Sequence, residues 1–276
     1  MKIIADTATL FSPEEGRELG ITILPVGVLI DDRSYKDFVE IDSSEFLRLV
    51  EAGGVPKSSQ PSLGDVLEVL EGCDEEIILL TVADGLSGGY QTAMAARNSI
   101  ENNAHIHIVN SKSLAGPLRY LAKKAHSLKE QGLDVRTILD ALDVSIESSM
   151  SFVIPADFEF LKRSGRLTPL AARIGGALRL LPVLTQTKDK TRITPVSVKR
   201  TWKSAIETIL QRLEAEEVGE NHLISVSHAG TSDKAQAIAK QIGERIPAAE
   251  IEVLALSPAL MTHGGPGCIV VQSILK

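Results

Sequence analysis

The sequence predicts an α/β protein of two α/β domains, with a mainly parallel sheet in the N-terminal domain and a mixed sheet in the C-terminal one. Three observations carry this. Strand and helix patterns alternate through the first half, as βαβ units require. Glu76 to Val82 contains the run Ile77-Ile78-Leu79-Leu80, which suits a strand buried on both faces of a parallel sheet. In the second half, the β-like segments Leu180 to Thr187 and Arg192 to Val198 flank the polar Lys188-Asp189-Lys190. That spacing signals a hairpin, hence an antiparallel pair. The domain boundary is placed near residue 150, giving domains 1–149 and 150–276.

Each element has its own local reason. Ile3-Ile4-Ala5, ended by Asp6, is a short buried strand. Ile21 to Ile30 is β-rich, and Pro25 and Gly27 within it indicate an edge or a bulge. Asp42 caps a helix, with Glu45 placed for a capping box, and Gly53-Gly54 ends it. Ser62 caps the next helix, and Gly72 ends that one. A glycine-rich loop then opens a helix over residues 88–102, and Ile106 to Val109 is a strand. Helices follow at Leu114 to Glu130 and Val135 to Ser148. Beyond the hairpin come a helix from Thr201 to Glu216 and a strand from His222 to Val226. A helix from Ser232 to Arg245, a strand from Ile251 to Leu256 and a final apolar run from Cys268 to Leu275 complete the chain.

Composition narrows the functional classes. The chain has 276 residues, 43% of them hydrophobic and 24% charged, as expected of a globular rather than a disordered protein. A net charge of −7 disfavours a nucleic-acid surface, which needs clustered Lys and Arg. Two cysteines are too few for a disulfide framework or a cysteine-built zinc site. The first residues turn acidic too early for a secretory signal, and no apolar stretch is long enough to span a membrane. The expectation is a cytoplasmic protein without membrane insertion.

Four polar clusters interrupt this apolar architecture. Lys57-Ser58-Ser59-Gln60-Pro61-Ser62 lies between two helices. Ser62 and Pro61 have turn and cap duties there, whereas Ser58 and Ser59 do not, although a hydrophilic loop explains the stretch equally well. Asp84-Gly85-Leu86-Ser87-Gly88-Gly89-Tyr90 joins the strongest strand to a helix, so Ser87 and Gly88 sit at a helix N-terminus that attracts anions. It also fits the G-x-S-x-G elbow, which leaves a serine hydrolase using Ser87 open, and a phosphate-ligand site as well. Arg163-Ser164-Gly165-Arg166, with Arg173 and Arg179 after it, suits carboxylate or phosphate binding, or salt bridges to the abundant acids. Thr262-His263-Gly264-Gly265-Pro266-Gly267 places a histidine among glycines, where it is able to meet an anion or move a proton.

Taken together, these clusters resemble the DegV family of bacterial proteins. The resemblance runs from Asp6-Thr7-Ala8-Thr9-Leu10 through Tyr35-Lys36-Asp37 and Ser58-Ser59-Gln60-Pro61-Ser62 to Leu86-Ser87-Gly88-Gly89-Tyr90-Gln91. It continues with Gly165-Arg166, Leu181-Pro182-Val183-Leu184, Arg200-Thr201 and Thr262-His263-Gly264-Gly265-Pro266-Gly267. It implies a non-enzymatic protein with no catalytic residue, metal or cofactor. Its ligand would be one long-chain fatty acid, held in a tunnel between the two domains. By motif, Ser58, Ser59, Ser87, Gly88, Arg166, His263 and Gly264 would surround the carboxylate. FakB-type members present that carboxylate to a separate fatty acid kinase, which would put Arg200 and Thr201 on a partner-facing surface. The small-residue segment 171–181 is expected to help line the tunnel.

Overall fold

A computed structural model describes residues 1–71, 73–174 and 180–276. Gly72, expected to end a helix, and residues 175–179 of the expected tunnel segment lie outside the described residues. The first half forms strands β1 (Lys2–Asp6), β2 (Ile21–Leu24), β3 (Gly27–Ile30), β4 (Arg33–Lys36), β5 (Pro56–Ser59), β6 (Ile77–Thr81) and β7 (Ile106–Asn110). Its helices are α1 (Pro13–Glu18), α2 (Ser43–Glu51), α3 (Leu63–Glu71), α4 (Gly89–Ser99), α5 (Ala115–Glu130) and α6 (Val135–Ser148). The second half forms β8 (Met150–Ile154), β9 (Leu181–Gln186), β10 (Ile193–Lys199), β11 (His222–His228), β12 (Glu250–Ala255) and β13 (Ile269–Leu275). Its helices are α7 (Phe158–Ser164), α8 (Pro169–Ala172), α9 (Trp202–Ala215), α10 (Ser232–Arg245) and α11 (Pro258–Gly264).

The first sheet is four-stranded and parallel, in the order β2-β1-β6-β7. Successive side chains of a strand point to opposite faces, and here both faces are buried. Ile3, Ile78 and Leu80 pack against Leu118 and Leu121 of α5 and Ile138 and Leu142 of α6. Ile4, Ile77 and Leu79 pack against Val66 and Leu70 of α3 and Ala93 and Ala96 of α4. This double burial is why the run in β6 reads as continuous rather than alternating.

The run from Ile21 to Ile30 does not form one bulged strand. It divides at Pro25-Val26, and its two pieces enter different sheets: β2 edges the parallel sheet, and β3 is the centre of a three-stranded antiparallel sheet, β4-β3-β5. Pro25 has no N–H to continue a ladder, and the Val26 N–H donates to Thr7 Oγ1 at 3.2 Å instead. The Lys57–Ser62 loop is likewise corrected in part, because Pro56–Ser59 is strand β5, with Ser58 opposite Val28 and Ser59 opposite Gly27. Asp42 caps α2 as expected, but the Glu45 carboxylate turns to Arg48 rather than back to the cap.

The second half builds a six-stranded mixed sheet, β10-β9-β8-β13-β11-β12. The β9–β10 pair is antiparallel, as the hairpin signal requires, whereas β11 and β12 run parallel. One face packs under α9 and α10 through Phe152, Ile224, Val226 and Val271. On the other side, Leu223 and Ile274 join the same core as α5 and α6, so these two helices are packed between the parallel sheet and the mixed one. None of the described helices is long and apolar enough to cross a membrane.

Candidate functional site

The strand order of the parallel sheet creates a crevice. After β1 the chain places β2 on one side and later β6 on the other, so the connections leave β1 and β6 in opposite directions. Ligands of open α/β sheets bind outside the carboxyl ends of strands at such a switch point. A cavity of ≈ 150 Å³ opens there, with Asp6 at the end of β1, Ala8 just beyond it, and Val82, Leu86 and Ser87 after β6 in its walls. That is roughly ten times the room one water needs. The far wall belongs to the second half: Val153 of β8, Val270 of β13, and Leu260 and His263 of α11.

The polar end of the cavity is built from three sequence-distant elements. Strand β5 turns Ser58 inward, where its Oγ lies 2.8 Å from His263 Nε2. Ser59 also borders the cavity but is exposed, its hydroxyl standing where a Cβ on Gly27 would be only 2.3 Å away. Helix α11 begins with Ser257 accepting from the Leu260 N–H at 3.3 Å and carries His263 in its last turn. Burial, with the positive charge of Arg166 beside it, pushes the His263 ring down to about 4, so the imidazole is neutral at pH 7. Gly264 lines the cavity because only a glycine fits against Cys268, whose Sγ would be 2.7 Å from an added Cβ. The third element is the loop before α4. Ser87 Oγ accepts from the Gly89 N–H at 3.2 Å, and Gly88 lets Gln60 approach so closely that a Cβ would meet its amide at 3.0 Å.

Arg166 closes this end. Its Nε donates to the Leu86 carbonyl at 3.0 Å and its Nη1 to the Ser164 carbonyl. Desolvation first, then the charge of Arg192, lowers its pKa. Among the described residues, none of its ion pairs is with a carboxylate, so a half-buried guanidinium faces the cavity without a counter-ion. Outside it lies a second, open hollow of ≈ 360 Å³. Leu86, Ser87, Ser164 and Arg166 line both spaces, which makes them the mouth. Gly88, Asp84 and Arg192 lie on the outer side.

The site residues expected from sequence are therefore brought together, except the pair assigned to a partner surface. Thr201 caps α9, accepting from the Ser204 N–H at 3.2 Å. Arg200 lies at the end of β10 away from Arg192, roughly 25 Å along the strand from the mouth at the usual rise. Ser87 has no histidine at hydrogen-bond distance among the described residues, and its Oγ accepts from the Gly89 N–H.

Sequence reasoning missed several polar residues of the cavity wall. Asp6 lines it and accepts from the Ala8 N–H at 2.8 Å, with its carboxyl raised to about 7 by burial. Asp37 is not part of the wall, but it is raised to about 6 by burial, adds a repulsive charge to Asp6 and accepts from the Ala259 N–H at 3.3 Å. Gln272 was visible as a polar residue inside the last apolar run, and that interruption was the signal to follow.

The sequence profile of the DegV family, described as one of uncharacterised proteins, matches residues 1–276. The chain belongs to the DegV family. A DegV domain-containing protein of Clostridium acetobutylicum is 28% identical over 277 residues, covering 98% of this chain and 95% of that one. The DegV domain-containing protein YteA of Lactococcus lactis is 28% identical over 284 residues, covering 100% of this chain and 98% of the other. Two solved DegV structures share the fold. The Bacillus subtilis DegV, described as a fatty acid binding protein, superimposes with a TM-score of 0.87 at 23% identity, covering 100% of this chain and 99% of that one. A Thermus thermophilus DegV family protein described by its fatty acid binding gives 0.89 at 24% identity, covering 100% and 99%.

Proposed function

We propose that this DegV protein binds one long-chain fatty acid, with its carboxylate among Ser58, Ser87, His263 and Arg166 and its acyl chain in the cavity. The observation that carries the reading is the half-buried Arg166, without a carboxylate partner among the described residues, at one end of a cavity lined largely by apolar side chains. A carboxylate taken out of water must be hydrogen-bonded and charge-compensated, or it protonates. Arg166 supplies the charge. If Nε2 of the neutral His263 donates to Ser58, the Ser58 hydroxyl proton is left to donate to the ligand. The solved relatives described as fatty acid binding add support.

The energetics divide in the same way. Burying about 15 methylenes at about 0.8 kcal/mol each gives roughly 12 kcal/mol gross, and ordering costs remove much of it. Affinity then comes from the tail, and orientation from the head. Because Ser87 and Arg166 also face the open hollow, the head group is presented outward, and we propose that a separate fatty acid kinase phosphorylates it there. The test is mass spectrometry of lipid extracted from protein purified without added ligand, followed by titration with palmitate and oleate. The expected result is a stoichiometric fatty acid and, in Ser87→Ala, affinity about tenfold lower, the loss of one hydrogen bond to a charged group. An empty extract together with no uptake of either acid overturns the reading.

A further inference from the structure

The floor of the cavity is one face of the mixed sheet, and it is not uniformly apolar. Residues directly opposite on neighbouring strands share a face. Val270 pairs with Val153, and Val153 with Leu184, which makes one apolar row. The next row on the same face, two residues along each strand, is polar. Gln272 pairs with Ser151, and continuing the register of Phe152 with Thr185 by one residue puts Gln186 opposite Ser151. Toward the other edge the row extends through Ser225, opposite Gln272, to Glu252. Gln272, Ser151 and Gln186 all border the cavity but not the outer hollow, so this row is separate from the carboxylate end.

The hydrogen bonds of the row are only partly used. Gln272 is fully committed: its Nε2 donates to Ser151 Oγ at 2.8 Å and to the Leu114 carbonyl at 3.0 Å, and its Oε1 accepts from the Gly116 N–H at 3.2 Å. Ser225 Oγ donates to Glu252 at 2.7 Å. Ser151 is different. Its Oγ accepts from Gln272, but among the described residues its hydroxyl proton goes to no acceptor. Gln186 donates through Nε2 to the Lys112 and Lys190 carbonyls at 3.0 and 3.3 Å, while its Oε1 accepts from none of the described residues. Ser151 and Gln186, opposite each other on neighbouring strands and both lining the cavity, thus keep one donor and one acceptor without a partner among the described residues. A hydroxyl, which both donates and accepts, satisfies both at once.

We propose that the cavity selects acyl chains carrying a mid-chain hydroxyl, which accepts from Ser151 and donates to Gln186. The proposal rests on the fatty-acid reading above and deepens it by naming the ligand class. A plain methylene chain laid over this row excludes water from both groups and leaves them unpaired, which costs more than the neutral alternative of an apolar floor. The experiment is isothermal titration of the delipidated protein with stearate and with its monohydroxy derivatives, the hydroxyl placed at successive mid-chain carbons. At least one isomer is expected to bind about fivefold tighter than stearate, the value of one net hydrogen bond. In Ser151→Ala the ratio of the two affinities, which a folding defect would scale alike, is expected to fall to one. If stearate binds and every isomer binds no tighter, or if the preference survives in Ser151→Ala, this inference falls and the fatty-acid reading stands. If stearate and all its derivatives fail to bind, the fatty-acid reading itself falls.

Discussion

Asp6 is the residue whose chemistry differs most from what its sequence position suggests. It ends β1 and lines the cavity, and burial raises its carboxyl from 3.8 to about 7. Between those values the folded protein holds a proton that the unfolded chain has released, so stability falls as pH rises from about 4 to about 7. Asp37, raised to about 6, adds to that slope. His263, lowered to about 4, opposes it between about 4 and 6.5, because there the unfolded chain binds the extra proton. Asp6→Asn keeps an oxygen for the Ala8 N–H and cannot ionise. Denaturant unfolding at about pH 4.5 and about pH 8 is therefore expected to show the variant gaining on the natural protein at the higher pH, by about 3 kcal/mol. Parallel pH profiles would count against a neutral Asp6. Ser87, Arg166 and His263 stood out as candidates because each has a glycine beside it in the sequence and no structural duty to explain it, and Ser58 because it read as part of a loop although it lies in β5. Asp6 and Ser151 did not stand out, since a polar residue at a strand end has an ordinary explanation until the opposing sheet is known.

At the scale of elements, α5 shows how closely helix and sheet are fitted. Its cap residue Leu114 makes no side-chain cap bond, and Ala115 has a φ of 52°. The Gln272 side chain takes over, binding the Leu114 carbonyl and the Gly116 N–H. Gly116 then lies so near the sheet that a Cβ would stand 2.2 Å from Ser225 Oγ and 2.4 Å from Ser225 Cβ. Helix propensity alone favours alanine over glycine by about 1 kcal/mol. The clash with Ser225 involves a carbon fixed to the backbone, so it dominates, and Gly116→Ala is expected to lose about 1–3 kcal/mol net in thermal or denaturant unfolding. Gly219, where an added Cβ meets nothing nearer than 3.9 Å, is the control: Gly219→Ala is expected to stay within about 0.5 kcal/mol. Equal effects at both positions would contradict the docking argument. Long periodic helices and the strand β6 were readable because burial and propensity agree in them. The sheet β4-β3-β5 was not, because its strands are four residues each and β5 carries Lys57, Ser58 and Ser59, which look like a loop until they pair with β3.

For the whole molecule, the decisive fact is that the cavity belongs to neither half of the chain alone. Asp6, Val82, Ser58 and Ser87 come from the first half, and Val153, Val270, Leu260 and His263 from the second. The sequence showed both kinds of sheet. It did not show that α5 and α6 pack between them, because the core that holds Leu118 together with Leu223 and Ile274 gathers positions far apart in the chain. If an acyl chain occupies this space it touches both walls, and its binding energy then acts across the junction rather than within one sheet. A ligand that binds only the folded state stabilises it by about 2.7 kcal/mol at a hundredfold excess over Kd, which for a chain of this size raises Tm by several degrees. The distribution of that stabilisation is the sharper test. Hydrogen exchange of the lipid-loaded protein is expected to slow at β5 and α11 together, since Ser58 and His263 meet across the cavity at 2.8 Å, while β12 at the far edge of the mixed sheet changes little. Protection confined to one wall would mean that the ligand rests in a pocket of a single half, and the shared cavity would then be incidental to binding.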